Sequence, residues 1–346
     1  MPALTPVLQE EELDCGDYFQ TLNRCLAEFG WAEKSRLKGK LIDDRYHGVG
    51  LACFVEGGAV GPRENARVAI EDDGTVSVYV GSAIVGQGLE TICAQIAADT
   101  LAVPMDRIAI FHGSTTYLHE GFGSFASRST VMGGSAIIDA ADNLKRAIRS
   151  VAALRLNCAA EDIVLEGGLA TSPDGNVVRW TDLASEHRQA DGTYANMRRT
   201  YAYGAHAAHV AVGPATGQVK VLDYVAVGDV GRIVNPMTLH GQVVGAIVQG
   251  LGGTLLEHLV YDEAGQLLTG SLADYALPTA ADCPNIRVFD LEQYPSPNNP
   301  LGAKGAGEGG VVPVAAVIAS AIASAIGIQP KSLPLSAARV WELMNA

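Results

Sequence analysis

Apolar residues at Tyr18, Leu22, Cys25, Leu26 and Phe29 recur at helical spacing behind an acidic lead-in. This predicts a short helix on a connector spanning residues 1–44. From His47 the pattern changes: Gly48–Glu56 and Ala66–Ile70 read as strands, and Asp72-Asp73-Gly74 as the hairpin turn before a strand at Val76–Val80. Gly86-Gln87-Gly88 opens a predicted helix at Leu89–Leu101. A short strand at Arg107–Phe111, a glycine and serine loop at Gly121–Ser129 and a longer helix at Thr130–Leu156 follow.

The second half has the same order. Ala207–Val212 and Val219–Val227 form a predicted hairpin, and a glycine turn at 228–231 leads to a helix from Pro236 to His258. A strand at Ile286–Leu291 precedes a glycine-rich loop that opens the last large helix. The expected fold is α+β, with two similar subdomains of mixed β-sheet at 45–200 and 201–346. Helices layer on each sheet, with glycine-rich turns at their N-termini. Cys158–Arg199 reads as a small β-rich insertion.

The 346 residues include 39 glycines, only 18% are charged, and the net charge is −14. That acidity argues against nucleic acid or an anionic membrane as a partner. The apolar runs near Val243–Leu251 and Val311–Ile328 carry glycine, proline or serine and read as buried helices, facing a cofactor or a partner, rather than membrane spans. The N-terminal residues lack the basic and apolar regions of a secretory signal. The six cysteines form no CxxC pair, so no iron–sulfur or structural zinc site is expected in this chain. Reduced thiols in the cytoplasm follow. The eight histidines form no HxH or HxxxH pair, and no protein-ligated metal is expected.

The chemistry gathers at four glycine-rich turns. Gly86-Gln87-Gly88 offers a side-chain amide with backbone donors. Phe125, Ala126, Ser127, Arg128 and Ser129 offer hydroxyls and a guanidinium before a helix, a set suited to a pyrophosphate. Gln242 and Gln249 share one helical face with Gly245 and Gly252. In Leu301-Gly302-Ala303-Lys304-Gly305-Ala306-Gly307-Glu308-Gly309-Gly310 a single carboxylate sits among glycines at an expected helix start. There the dipole would hold it ionised, as a general base requires. Each turn taken singly is better explained by caps and corners. Together they favour an elongated, polar, anionic cofactor. GxGxxG after the first strand is missing, as is a P-loop, so a dinucleotide fold is poorly supported.

Residues 85–104, 123–136, 227–253, 272–286 and 299–313, with 16–31 and 47–58, resemble the xanthine oxidase family of molybdenum hydroxylases. The match is to the second half of that family's molybdopterin-binding region. The resemblance implies Glu308 as general base for hydroxylation of an N-heterocycle, purine or aldehyde at carbon, with water as the oxygen source. It implies pterin contact by Gln87, flanked by Gly86 and Gly88. Cofactor binding by Phe125–Ser129 is implied as well, as is cofactor binding by Gln242, near the molybdenum end, and by Lys304 and Gly305 on the approach to Glu308. The implied cofactor is molybdopterin, alone or as a dinucleotide. The first half of the site is missing from this chain, as are iron–sulfur and flavin domains. The resemblance therefore implies a chain carrying the other half, an iron–sulfur subunit and an FAD subunit, as in split members such as nicotinate dehydrogenase, whose medium molybdopterin subunit this chain resembles. A non-catalytic cofactor scaffold or maturation protein, with Glu308 only a cap, is the alternative. A nucleotide-binding α/β module is a third reading.

Overall fold

The computed structural model describes residues 12–346 apart from Met197. The lead-in over residues 1–11 therefore lies outside the described residues. Helix α1 (Tyr18–Phe29) starts at Asp17, whose side chain accepts from the Gln20 amide, and stops at left-handed Gly30. A single turn, α2 (Trp31–Lys34), and a two-residue strand, β1 (Leu41–Ile42), lead to the long strand β2 (Arg45–Gly58).

The next elements are β3 (Glu64–Ile70), β4 (Val76–Val80), α3 (Leu89–Leu101), β5 (Ile108–Phe111) and α4 (Gly134–Leu156). Strands β6 (Val164–Glu166), β7 (Leu169–Thr171) and β8 (Val177–Arg179) make a small separate sheet. Then come β9 (Gln189–Tyr194), β10 (Thr200–Val212), β11 (Val219–Asp229), α5 (Pro236–Leu255), β12 (Ile286–Leu291), α6 (Val314–Ile326) and α7 (Ala337–Asn345).

Two mixed sheets carry the fold, in the orders β5-β4-β3-β9 and β1-β2-β10-β11-β12. In the first, β3 and β4 pair antiparallel, β5 runs parallel to β4, and β9 runs antiparallel on the other side of β3. In the second, β10 and β11 pair antiparallel, β12 runs parallel to β11, and β2 runs antiparallel to β10. The expected duplication is therefore present in strand pairing as well as in element order. One strand is placed differently from the expectation: β2, grouped with residues 45–200, pairs along its whole length with β10. The insertion also shrinks, because β9 joins the first sheet and leaves only β6–β8 apart.

Strands β9 and β2, which hold corresponding places beside β3 and β10, share a packing device. A Cβ at Gly192 would lie 2.2 Å from the Ala140 amide of α4. Cβ atoms at Gly48 and Gly50 would lie 2.1 and 2.0 Å from the Ala321 and Val317 carbonyls of α6. Glycine at these positions lets a helix lie directly on the strand backbone, where any side chain would force them apart. The first core packs α3 and α4 on the four-stranded sheet through residues such as Val68, Val78, Leu101 and Leu144. The second packs α5, α6 and α7 on the larger sheet, and a third, smaller one lies under α1 on the opposite face. Val243, Ile247 and Leu251 of α5 bury in that second core. The expectation that they face a cofactor or partner is thus corrected.

Candidate functional site

Three backbone segments meet between the sheets, and glycine is what lets them meet. A Cβ at Gly305 would lie 2.4 Å from the Ser127 carbonyl oxygen, and one at Gly58 would lie 2.9 Å from the Gly305 Cα. Gly305, Gly307, Gly309 and Gly310 all lie outside the left-handed region. Their requirement is close approach of loop to loop, not an unusual φ. The strain sits across the contact instead, where Ala126 and Ser127 adopt φ of 48° and 49°. Consecutive non-glycine residues in that region cost energy and persist only where the surroundings enforce them.

Ser127 is the hub. Its Oγ lies 2.6 Å from Glu56 Oε1 and 2.5 Å from Glu308 Oε2, and it accepts from the Glu308 amide at 3.1 Å. Burial pushes Glu56 up to about 7, with the Glu308 charge adding and the Ser127 hydroxyl opposing. Glu308 itself is exposed. It does not stand at a helix start: Val311 N–H closes a turn on the Glu308 carbonyl at 3.0 Å, and α6 begins only at Val314. The helix dipole acts within the last turn, so the expected ionisation of Glu308 by that dipole is withdrawn. Gln242 Nε2 donates to the Gly307 carbonyl at 2.7 Å and tethers the loop to α5.

A cleft of about 280 Å³ opens beside these groups. Gln87, Phe125, Ser127, Ser129, Gln242, Gly305 and Glu308 all line it. Gly86 and Gly88 are left-handed glycines that shape the turn carrying Gln87 and do not themselves line the cleft. Gln87 Oε1 accepts from the Val85 amide at 2.7 Å, which fixes its carboxamide. Gln249, paired with Gln242 in the sequence, is exposed and lies outside the cleft.

Two cationic residues do something other than expected. Arg128 is fully buried, and its guanidinium is taken up by Glu64, at 2.6 Å, and by the carbonyls of Val60, Arg63 and Gly123. It braces the loop from below, with four of its five N–H donors engaged inside the protein. Lys304 sends its ammonium to the Cys15 carbonyl at 3.0 Å, over the Tyr203 ring and 3.6 Å from Asp229. Sequence reasoning missed Glu56, Asn235, Thr238 and Arg232. Arg232 is exposed at the cleft and follows directly on the glycine turn at 228–231.

Neutral amides and hydroxyls, glycine backbone at the loop junction and Arg232 at the rim make a donor set that fits a large, polar, anionic group. This is a cofactor-binding domain. The profile of the molybdopterin cofactor-binding domain family matches residues 24–284, and the chain belongs to that family. The gamma subunit of the 6-hydroxypseudooxynicotine dehydrogenase complex of Paenarthrobacter nicotinovorans is 36% identical over 98% of this chain and 45% of its own length. The large subunit of nicotine 6-hydroxylase from the same organism is 32% identical, over 82% of this chain and 38% of its own length. Quinoline 2-oxidoreductase from Pseudomonas putida 86 superposes with a TM-score of 0.86 at 34% identity, covering 95% of this chain and 46% of that one. The resemblance to molybdenum-binding subunits of the xanthine oxidase family stands, and the chain spans less than half the length of these relatives.

Proposed function

We propose that this chain is the part of a multi-subunit molybdenum hydroxylase that carries the catalytic base, acting on an N-heterocycle, purine or aldehyde. The observation that supports it best is Glu308 held at the cleft by Ser127, with Gln242 steadying its loop. When bound, molybdopterin supplies the two-electron redox centre at which substrate carbon is oxidised with oxygen from water. The chain's own residues do the rest. Gln87, the backbone of Phe125–Ser129, Gln242 and Gly305 would hold the cofactor along the cleft, and Glu308 would take up the proton that the reaction releases. Arg128 and Lys304 contribute backbone to the cleft and brace it with their side chains.

The two sheets, each with its helices, are proposed as the two cofactor-binding subdomains, with β2 assigned to the second. A partner chain supplies the remaining half of the pocket, and iron–sulfur and FAD subunits carry electrons away. The segment between α5 and β12 supports a partner, since it exposes Leu259, Tyr261, Leu268, Leu272 and Leu277. Among the described residues no helix is long and apolar enough to cross a membrane, and a cytoplasmic setting is part of this proposal.

The test is the complex purified through this chain from its own cell. Molybdenum, iron and further chains in one particle, and dye reduction with quinoline, xanthine or benzaldehyde, are expected. Glu308→Gln should abolish turnover at unchanged mass and molybdenum content. A lone chain without molybdenum would overturn the proposal in favour of a scaffold.

A further inference from the structure

The cluster at Ser127 has more acceptors than hydrogens. Both oxygen–oxygen contacts, 2.6 Å to Glu56 and 2.5 Å to Glu308, require a hydrogen between the atoms. The Glu308 amide already donates to the same Oγ. A hydroxyl carries one hydrogen and can accept twice. It can therefore donate to one carboxyl group only, and the other must donate to it. One proton has to reside on the pair.

Surroundings decide which carboxyl carries it. Glu56 is half-buried on β2, and its Oε2 is out of solvent without a hydrogen bond of good geometry among the described residues, the Gly309 N–H being the one backbone donor that approaches the carboxyl. Leaving a charged oxygen there would be costly, whereas a neutral carbonyl oxygen is tolerated. Glu308 is exposed, and water solvates its charge.

We propose that Glu56 is a positioning residue, kept as a neutral acid that donates to Ser127 Oγ and so turns the serine hydroxyl toward Glu308. Glu56 O–H donates to Ser127, Ser127 O–H donates to Glu308, and the Glu308 amide returns a bond to Ser127. Glu308 is thereby aimed by the serine and by its own amide together. The inference rests on Glu308 being the base of the proposed reaction.

Loss of the Glu56 proton breaks the arrangement. Three oxygens then share one hydrogen, and Glu308 faces a second negative charge. Glu308 is the charged group that acts on Glu56 directly. The other ionisable groups on neighbouring elements are accounted for. Arg128 is committed to Glu64. His206, whose ring contacts Phe54 edge-on, is held neutral by burial. Asp290 on β12 is pushed up by burial, with His240 opposing. Rising pH should therefore switch off the alignment as Glu56 ionises, which burial delays to about 7.

The experiment uses the assembled complex, with and without cofactor. Infrared difference spectra with isotope-labelled glutamate should show a carboxylic acid carbonyl band near neutral pH in both forms. The band should titrate away as pH rises through the neutral range and be missing in Glu56→Gln. Ser127→Ala should shift it without removing it, which assigns the band even if the glutamine variant folds poorly. With the substrate identified from quinoline, xanthine and benzaldehyde, kcat should fall on the alkaline side in the unsubstituted enzyme. In Glu56→Gln, whose amide donates at every pH, that limb should be absent. Absence of the band, or persistence of the limb in Glu56→Gln, overturns the inference. If Glu308→Gln turns over, the proposed function fails and the aligned-base role falls with it, while the infrared band still decides the shared proton. If Glu308→Gln is inactive and the band is missing, only the role of Glu56 falls.

Discussion

Arg128 and Glu64 form an ion pair with neither side chain exposed, Nη1 to Oε2 at 2.6 Å. Glu64 is otherwise satisfied by the Ser82 hydroxyl at 2.9 Å and the Phe122 amide at 3.3 Å. The pair ties β3 to the loop that presents Ser127. Replacing either member alone leaves the other buried and uncompensated, which costs about 3–5 kcal/mol. Glu64→Gln and Arg128→Met should each lower the melting temperature and the molybdenum content together. Unchanged melting in both variants would rule this brace out.

Gly305→Ala places a Cβ against the Ser127 carbonyl and the Gly58 Cα, at 2.4 and 3.0 Å. Both are backbone atoms and cannot rotate away. Overpacking of this kind costs about 1–3 kcal/mol, and here the strain opens the contact that aligns Glu308. Calorimetry should show a modest loss of stability, and turnover should fall by far more than stability does. Gly86→Ala is a useful contrast, since nothing lies within 4 Å of a Cβ there and only its φ of +102° opposes substitution.

Removing the Gln242 tether tests the loop from the other side. Gln242→Leu keeps the volume and loses the bond to the Gly307 carbonyl, at about 1 kcal/mol of stability. A misplaced base costs more in rate than in stability, so kcat should drop roughly ten- to a hundredfold. Equal small losses in kcat and stability would mean that the tether is only structural.

Stability should rise with pH across the acid range. Burial holds His206 down to about 3 and His209 down to about 4, in the second case with His47 and Lys34 adding. Both are neutral when folded and take up protons when unfolded below about 6.5. Their stabilisation is therefore present above that value and is lost as pH falls toward 4. Glu56 has the opposite sign: its stabilisation is full at low pH and is lost as pH rises from its ordinary value to about 7. Each group contributes at most ~1.4 kcal/mol per pH unit. Two histidines outweigh Glu56, and Asp290, which burial raises in the same sense as Glu56, starts from an ordinary value of 3.8 at the bottom of the range. The melting temperature should therefore climb from pH 4 to 6.5. His206→Gln should reduce that slope, and a flat profile in the unsubstituted protein would contradict the assignment.

Much of the fold was legible because local periodicity fixes single elements: Leu89–Leu101 and Ile286–Leu291 are found where the pattern puts them. Partnership between elements was less so. Nothing in residues 45–58 says that they pair with 200–212, because register follows from contacts distant in sequence. The site was read in the same uneven way. The glycine turns mark where loops approach, but a guanidinium beside hydroxyls looks alike whether it awaits a phosphate or grips Glu64. Glu56 carried no signal: it is a single acid inside a strand, and its meaning comes from Ser127 and Glu308.

The pairing of β2 with β10 and its burial under α6 also set an order of events during synthesis. β2 leaves the ribosome about 140 residues ahead of β10, and α6 follows later still. In the first sheet β3 pairs at once with β4 and waits only for β9. In the second, β2 finds only the two residues of β1 before β10 emerges, so for that interval a strand of 14 residues is left almost wholly unpaired along both edges. Unpaired edges of that length invite pairing with other chains. Slow, chaperone-dependent assembly of the larger sheet is thus written into the topology, and truncation before α6 should yield aggregates rather than a smaller folded protein.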